Sequence, residues 1–300
     1  MSNNNDIYYL PEGIILEDIT KKKWILGKSV GSGGFGLIYD VISISDTVAR
    51  CIAKIEYKES GALFCEINFY NRVVKNIRSM DMWKEYYKIS HLGVPRFYGF
   101  GIFTYRGIEY RFLVIEKLGS DLDKLLIEKK KFNIKGIKTI VTNILTILEF
   151  IHDNGFSHGD VKASNILLGL DSNRIYLVDY GLSSRYSIDG KHRLYLENPN
   201  NRHNGTLLFT SIDAHKGVNV SRRGDLESLG YCMLEWYTGT LPWIKCDDEP
   251  IMVQKEKEKF IGQIQTMNDG KDAIITYLKY VTSLGYMEKP DYGYLKSLFL

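Results

Sequence analysis

Asp160, Asn165 and Asp179 place two carboxylates and an amide within twenty residues, with Asn165 between the runs His158-Gly159-Asp160 and Asp179-Tyr180-Gly181. Such a set suits phosphoryl transfer from ATP. One carboxylate orients an attacking hydroxyl, while the amide and the second carboxylate hold magnesium. A single Asp or Asn in a loop is more often a turn residue than a ligand. The reading therefore depends on whether the rest of a phosphate-handling site appears around these three.

Gly31-Ser32-Gly33-Gly34-Phe35-Gly36-Leu37-Ile38, entered from Val30, is a glycine-rich turn in which backbone N–H groups can approach phosphate oxygens closely. Many such turns bind nothing, and a dinucleotide-binding unit would need a helix straight after the glycines. Phe35–Ile42 instead reads as strand, which favours a flap over ATP. On the next strand, Ala53 precedes Lys54, as in a strand flooring an adenine pocket. Glu66, twelve residues on, falls on a predicted helix and is the expected ion-pair partner holding Lys54 against the α- and β-phosphates. Glu59 competes but belongs to the loop ahead of that helix. In the catalytic loop Asp160 is the expected proton acceptor, and Lys162 neutralises charge growing on the transferred phosphoryl group. Asn165 and Asp179 are the Mg²⁺ ligands, and His158 is read as structural.

The elements that must position these residues follow from pattern. Trp24–Val30, Phe35–Ile42 and Val48–Tyr57 read as three strands separated by turns, Leu63–Lys75 as helix, and Pro95–Tyr105 and Tyr110–Leu118 as strands again. Ile137, Ile140, Val141, Ile144, Leu148 and Ile151 recur on one helix face, with Asn154-Gly155 as its stop. Ile166–Leu168 and Ile175–Val178 form a hairpin with the catalytic loop at one end and Asp179 at the other. Leu226–Tyr237 is helical, and the remainder is helix with loops. A sheet-rich first third and a helix-rich remainder predict an α+β, bilobal chain. Its boundaries are an extension over residues 1–23, a first lobe over 24–115, a hinge at 116–118 and a second lobe over 119–300.

Composition bounds the alternatives. The 300 residues are 44% apolar and 25% charged with a net charge of +3, ordinary for a globular protein and too small a charge to argue for direct nucleic-acid binding. The basic runs Lys21–Lys23, Lys129–Lys131 and Lys255–Lys259 are read as solvated helix ends or loops. Cys51, Cys65, Cys232 and Cys246 lack metal-type spacing and read as reduced, buried thiols of a cytosolic protein. The polar N-terminus has no secretory pattern, and no uncharged run approaches a membrane span.

Together these residues resemble the protein kinase superfamily from about Trp24 to the C-terminus. Gly205–Asp213 stands where kinases end the activation segment. By that resemblance Thr206 would hydrogen-bond Asp160 and Lys162, and Asp225 would anchor the catalytic-loop backbone. Adenine would lie against Ala53 and the hinge backbone of Glu116 and Leu118, with Ile115 at the back. Lys162 and Thr206 look like the serine/threonine class. Ser211-Ile212-Asp213 in place of Ala-Pro-Glu, with Ser221–Tyr231, is similar to the casein kinase 1 group and, within it, the vaccinia-related kinases. Leu118–Leu122 and Leu241-Pro242-Trp243 are similar to the same branch. The short C-terminus and the composition resemble its compact poxviral members. The resemblance implies ATP and Mg²⁺ as cofactors and a monomer acting on proteins in the host cytoplasm, and in virions. Viral replication proteins and the host barrier-to-autointegration factor would be its targets. Gly159 departs from the pattern, replacing the arginine that usually partners a phosphorylated activation loop, so independence from that phosphorylation is expected.

Two other functions share parts of this pattern. Aminoglycoside-type phosphotransferases also carry His-Gly-Asp with Asn five residues on, but the peptide-docking segment Gly205–Asp213 argues for a protein substrate. A non-catalytic scaffold would have lost Lys54, Asp160, Asn165 or Asp179, and all four are intact.

Overall fold

The computed structural model describes residues 9–33, 36–45, 49–267 and 272–300. Gly34 and Phe35 of the glycine turn, Val48 at an expected strand start, and residues 1–8 lie outside it. So does the side chain of Ser32. The chain divides into two compact units, residues 1–75 with 95–117, and residues 76–94 with 118–300.

The first unit is built on one antiparallel sheet. Its strands are β1 (Ile15–Glu17), β2 (Lys23–Gly33), β3 (Gly36–Ser43), β4 (Cys51–Tyr57), β5 (Phe97–Tyr105) and β6 (Ile108–Glu116), in the order β1-β2-β3-β4-β6-β5. β3 alternates buried and partly exposed residues along its length, the period-2 signature of a sheet with one face on a core. Leu16, Trp24, Leu26, Tyr39, Val41, Ala53, Phe112 and Val114 fill that core, and each large apolar side chain there contributes about 1.5–3 kcal/mol on burial. α1 (Ala62–Phe69) continues through a π-helical turn at Tyr70–Val74. It covers the opposite face of β4 and β6. β1 lies within the segment expected to be an extension, yet pairs with β2 residue for residue from Ile15↔Ile25 to Glu17↔Lys23. Ile15–Glu17, ahead of Trp24, are therefore part of the sheet.

The second unit is mainly helical. It contains α2 (Ile77–Tyr86), α3 (Leu122–Lys129), α4 (Ile134–Asp153), α5 (Ile212–His215), α6 (Arg222–Thr238), α7 (Pro250–Thr266), α8 (Ala273–Ser283) and α9 (Tyr292–Ser297). Short strands β7 (Phe156–Ser157), β8 (Ile166–Leu168) and β9 (Ile175–Leu177) lie between α4 and α5. All six apolar positions read as one face of α4 are buried. The helix opens on an Asn133 N-cap that accepts from Gly136 N–H and ends at Asn154.

The expected boundaries placed residues 76–94 in the first lobe, whereas they cluster with the second unit. The reason lies in their side-chain and backbone partners. Trp83 packs edge-on against Phe150 at 5.3 Å, Tyr87 donates to Glu149 at 2.9 Å, and Gly93 accepts from Leu177 N–H at 2.8 Å. All three partners belong to α4 or β9. Among the described residues, no helix is long and apolar enough to cross a membrane.

Candidate active site

In the first unit, strand alternation decides which side chains of β4 meet α1. Cys51, Ala53 and Ile55 face the sheet core, so Lys54 and Glu56 face the helix. Lys54 Nζ lies 2.8 Å from Glu66 Oε2, with the two side chains 7% and 1% exposed. Glu59 is exposed in the loop before α1, so the partner expected from helix placement is the one used. Glu56 anchors the start of α1 instead, accepting from Ser60 Oγ at 2.6 Å and from Leu63 N–H at 3.0 Å. Lys54 pairs in register with Ile38 on β3 and Leu113 on β6, and Ala53 with Tyr39 and Val114. This brings the glycine hairpin's second strand beside the lysine.

The hairpin closes with Gly31↔Ile38, Ser32↔Leu37 and Gly33↔Gly36 in register. Strand follows the glycines directly, the arrangement of a flap and not of a dinucleotide-binding turn. A Cβ at Gly31 would meet nothing within 4 Å. Its own surroundings therefore do not demand glycine there, and the bare backbone is open to a ligand. Val30 is exposed, while Leu37 and Ile115 are buried. Glu116 closes β6, its N–H donating to Arg96 O at 3.0 Å. The division between the units falls between Lys117 and Leu118.

In the second unit, the β8–β9 hairpin sets two of the three lead residues side by side. Ile166 pairs with Leu177, and Val178 N–H donates to Asn165 O at 2.9 Å, so Asn165 and the residue before Asp179 are backbone neighbours. Asp179 adopts a left-handed backbone at φ 63°, a conformation uncommon for non-glycine residues and concentrated at functional positions. Asn165 Nδ2 donates to Asp160 O at 2.9 Å and to Asp160 Oδ2 at 3.2 Å. That commits the amide nitrogen and leaves the oxygen, a hard donor suited to Mg²⁺.

Asp160 is the hub. Lys162 Nζ lies 2.7 Å from its Oδ2, and Thr206 donates to its Oδ1 from both N–H and hydroxyl, at 3.1 and 2.9 Å. Lys162 also donates to Thr206 Oγ1 at 2.6 Å. His158 uses both ring nitrogens on backbone, Nε2 with Val178 O at 3.0 Å and Nδ1 with Asp160 N–H at 3.2 Å. It holds the loop and is not placed for proton transfer. The loop is further held by Asp225, whose carboxylate accepts from His158 N–H at 2.7 Å and Gly159 N–H at 2.8 Å.

Sequence reasoning missed the supports behind these residues. His152 Nε2 donates to Asp225 at 2.8 Å, and its Nδ1 accepts from the Tyr292 hydroxyl. Arg223 grips Asp213 with Nε and Nη2 at 2.7 and 2.8 Å. Lys257 is a correction. It belongs to a run read as solvated, yet it is fully buried on α7 and donates to Leu207 O and Thr210 O, each at 2.6 Å. A signal was present, since Val253, Lys257 and Ile264 share the buried helical face of α7. Burial works against charge on both Lys257 and nearby Glu227, lowering the lysine's pKa and raising the glutamate's. Burial, with the Lys257 charge beside it, also lowers His215 to about 3. All four cysteines are reduced thiols outside any disulfide. Cys51 and Cys232 are buried as expected, but Cys65 and Cys246 are only half-buried.

The arrangement can accept a hydroxyl proton at Asp160, place an ammonium beside it, and offer two oxygen ligands to one hard cation. It also joins this centre directly to the segment that begins at Gly205. The protein kinase domain signature spans residues 24–276. A probable serine/threonine-protein kinase of fowlpox virus is 58% identical over 97% of both chains. Human serine/threonine-protein kinase VRK2 is 43% identical over 96% of this chain and 58% of its own length. The B1 kinase of vaccinia virus is 40% identical over 96% of this chain and 97% of its own. The solved structure of vaccinia related kinase 3 superposes with a TM-score of 0.89 at 34% identity, covering 98% of this chain and 92% of that one.

Proposed function

This chain belongs to the protein kinase family, and from that premise we propose that it transfers the γ-phosphoryl group of ATP to seryl and threonyl hydroxyls of proteins. Asp160 orients the acceptor hydroxyl and takes its proton. Lys162, ion-paired to Asp160 in the resting site, balances negative charge that grows on the transferred group. Lys54, steadied by Glu66, takes the α- and β-phosphates, and the backbone of the glycine hairpin from Val30 to Ile38 cradles them. Ala53, Ile115 and the backbone of Glu116 and Leu118 receive the adenine. Magnesium, held by Asn165 and Asp179, would supply the remaining charge neutralisation.

The observation that carries a protein substrate is the contact between Thr206 and both Asp160 and Lys162. A phosphotransferase for small molecules has no need to tie its base to a segment whose other end is anchored by Asp213. Phosphate incorporation from labelled ATP tests the proposal. Casein or a basic protein should be labelled by the wild type and not by Asp160→Ala, with aminoglycosides unlabelled by both. The opposite preference would overturn it.

We further propose a setting: a kinase acting in the infected cell's cytoplasm and carried in virions, supporting viral DNA replication. Its substrates would be viral replication proteins and the host barrier-to-autointegration factor, and it would act as a monomer. Phosphoproteomes of cells expressing active and Asp160→Ala protein would identify the substrates.

A further inference from the structure

The segment from Thr206 to Ile212 is partly buried, with no sheet and, before α5, no helix to pair its backbone; Phe209 and Thr210 N–H donate to Thr206 O at 2.8 and 2.9 Å, and the remaining polar groups need partners from outside the turn. Three side chains from three directions do this. Lys257 Nζ donates to Leu207 O and Thr210 O at 2.6 Å each, and its third bond goes to His215 Nε2 at 3.1 Å. Trp243 Nε1 donates to Leu208 O at 2.9 Å. Glu227 Oε1 accepts from Ile212 N–H at 2.9 Å and from the Tyr231 hydroxyl at 2.6 Å. A buried lysine thus takes two carbonyls, an indole takes a third, and a buried glutamate takes an amide. The rings of Tyr231 and Trp243 lie 5.0 and 5.5 Å from the ammonium.

Burying an ammonium is expensive, and an apolar residue on this face of α7 would stabilise the fold more cheaply. What an apolar residue cannot supply is convergent donors, two fixing the turn through Leu207 O and Thr210 O and one tying it to His215. The turn so fixed begins at Thr206, which touches the base. We propose that Lys257 is a positioning residue for the protein substrate, holding residues 206–210 in the shape that docks the acceptor chain beside Asp160. Glu227 and Trp243 are its partners in that task. This rests on the protein-kinase reading above.

The proposal separates peptide recognition from nucleotide handling, because Lys257 touches neither Asp160 nor the metal ligands. Lys257→Met should raise the KM for a protein substrate by about tenfold or more while the KM for ATP stays within about twofold. A purely structural role would lower thermal stability and reduce the amount of active enzyme without moving either KM. Lys257→Met strands Glu227 as an unbalanced buried charge, so Lys257→Met/Glu227→Gln is the companion variant, expected to recover stability and keep the raised protein KM. Trp243→Phe, which keeps the ring and loses one donor, should shift the same constant by less. A folded double variant with wild-type KM for protein would overturn the inference. A wild type that labels no protein at all would overturn the kinase reading beneath it.

Discussion

Thr206 donates twice to the same oxygen of Asp160, from its backbone N–H at 3.1 Å and its hydroxyl at 2.9 Å, across forty-six residues of chain. The hydroxyl also accepts from Lys162. Thr206→Val keeps the shape and the backbone bond but removes the hydroxyl bridge. Hydrogen bonds to charged groups contribute about 1.5–3 kcal/mol, so kcat for protein phosphorylation should fall on the order of 10- to 100-fold. Thr206→Ser should remain near wild type. Steady-state kinetics on the pair decides, and equal loss in both variants would remove the hydroxyl from the argument.

Asp160→Ala and Asp179→Ala should each abolish phosphate transfer, with losses of roughly 10²–10⁴-fold for the base, and both should remain folded. Near-native thermal melting with no incorporated phosphate is the expected pair of results. A well-folded Asp160→Ala protein with full activity would falsify the role assigned to that carboxylate.

The Lys54–Glu66 pair is nearly solvent-free. Removing Lys54 takes the ammonium away from Glu66, and breaking a buried pair in this way costs about 3–5 kcal/mol. Lys54→Met should therefore melt earlier than Lys54→Met/Glu66→Gln, although neither should show ATP-dependent stabilisation. Denaturant titration with and without ATP reads both effects. Equal stability of the single and double variants would mean that Glu66 is balanced elsewhere.

Gly159 sits at φ +87°, and a Cβ there would meet Leu182 O at 2.6 Å. The arginine expected at this position in regulated kinases cannot be restored without moving the loop, so Gly159→Arg should destabilise the protein instead of creating phosphate-dependent control. Phosphatase treatment of the wild type should leave activity within a few-fold. A drop beyond about tenfold, reversed by rephosphorylation, would refute independence from activation-loop phosphorylation.

His215 is buried beside Lys257 and its pKa is lowered to about 3, against 6.5 for an ordinary histidine. Because the folded-state value is depressed, the unfolded chain binds the proton first. The stabilisation is complete above about pH 6.5 and is lost as pH falls toward 3, for a total of roughly 4–5 kcal/mol. His215→Gln should flatten the acid limb of the stability curve by about one proton. An unchanged slope between about pH 6 and 4 would show that other groups set the acid limit.

Local pattern accounts for much of this molecule. The period-2 strands, the six-residue apolar face of α4 and the β8–β9 hairpin are short-range features, and their spacing alone sets Asn165 beside Asp179. Lys54 and Glu66 were legible for the same reason, because a strand residue and a helix residue separated by one loop have few alternatives. The segment 76–94 was not legible. Its allegiance depends on Trp83 and Tyr87 finding α4, more than sixty residues away.

What sequence by itself determined is the chemical inventory at the site and the elements that carry it, since charge, hydroxyls and hydrophobic period are properties of residues in order. Only the tertiary structure decided that Lys257 is buried under residues 207–210, that His152 stands behind Asp225, and that β1 belongs to the sheet. Each of those outcomes turns on which distant group excludes water from a polar one. That is a property of packing, and no spacing along the chain encodes it.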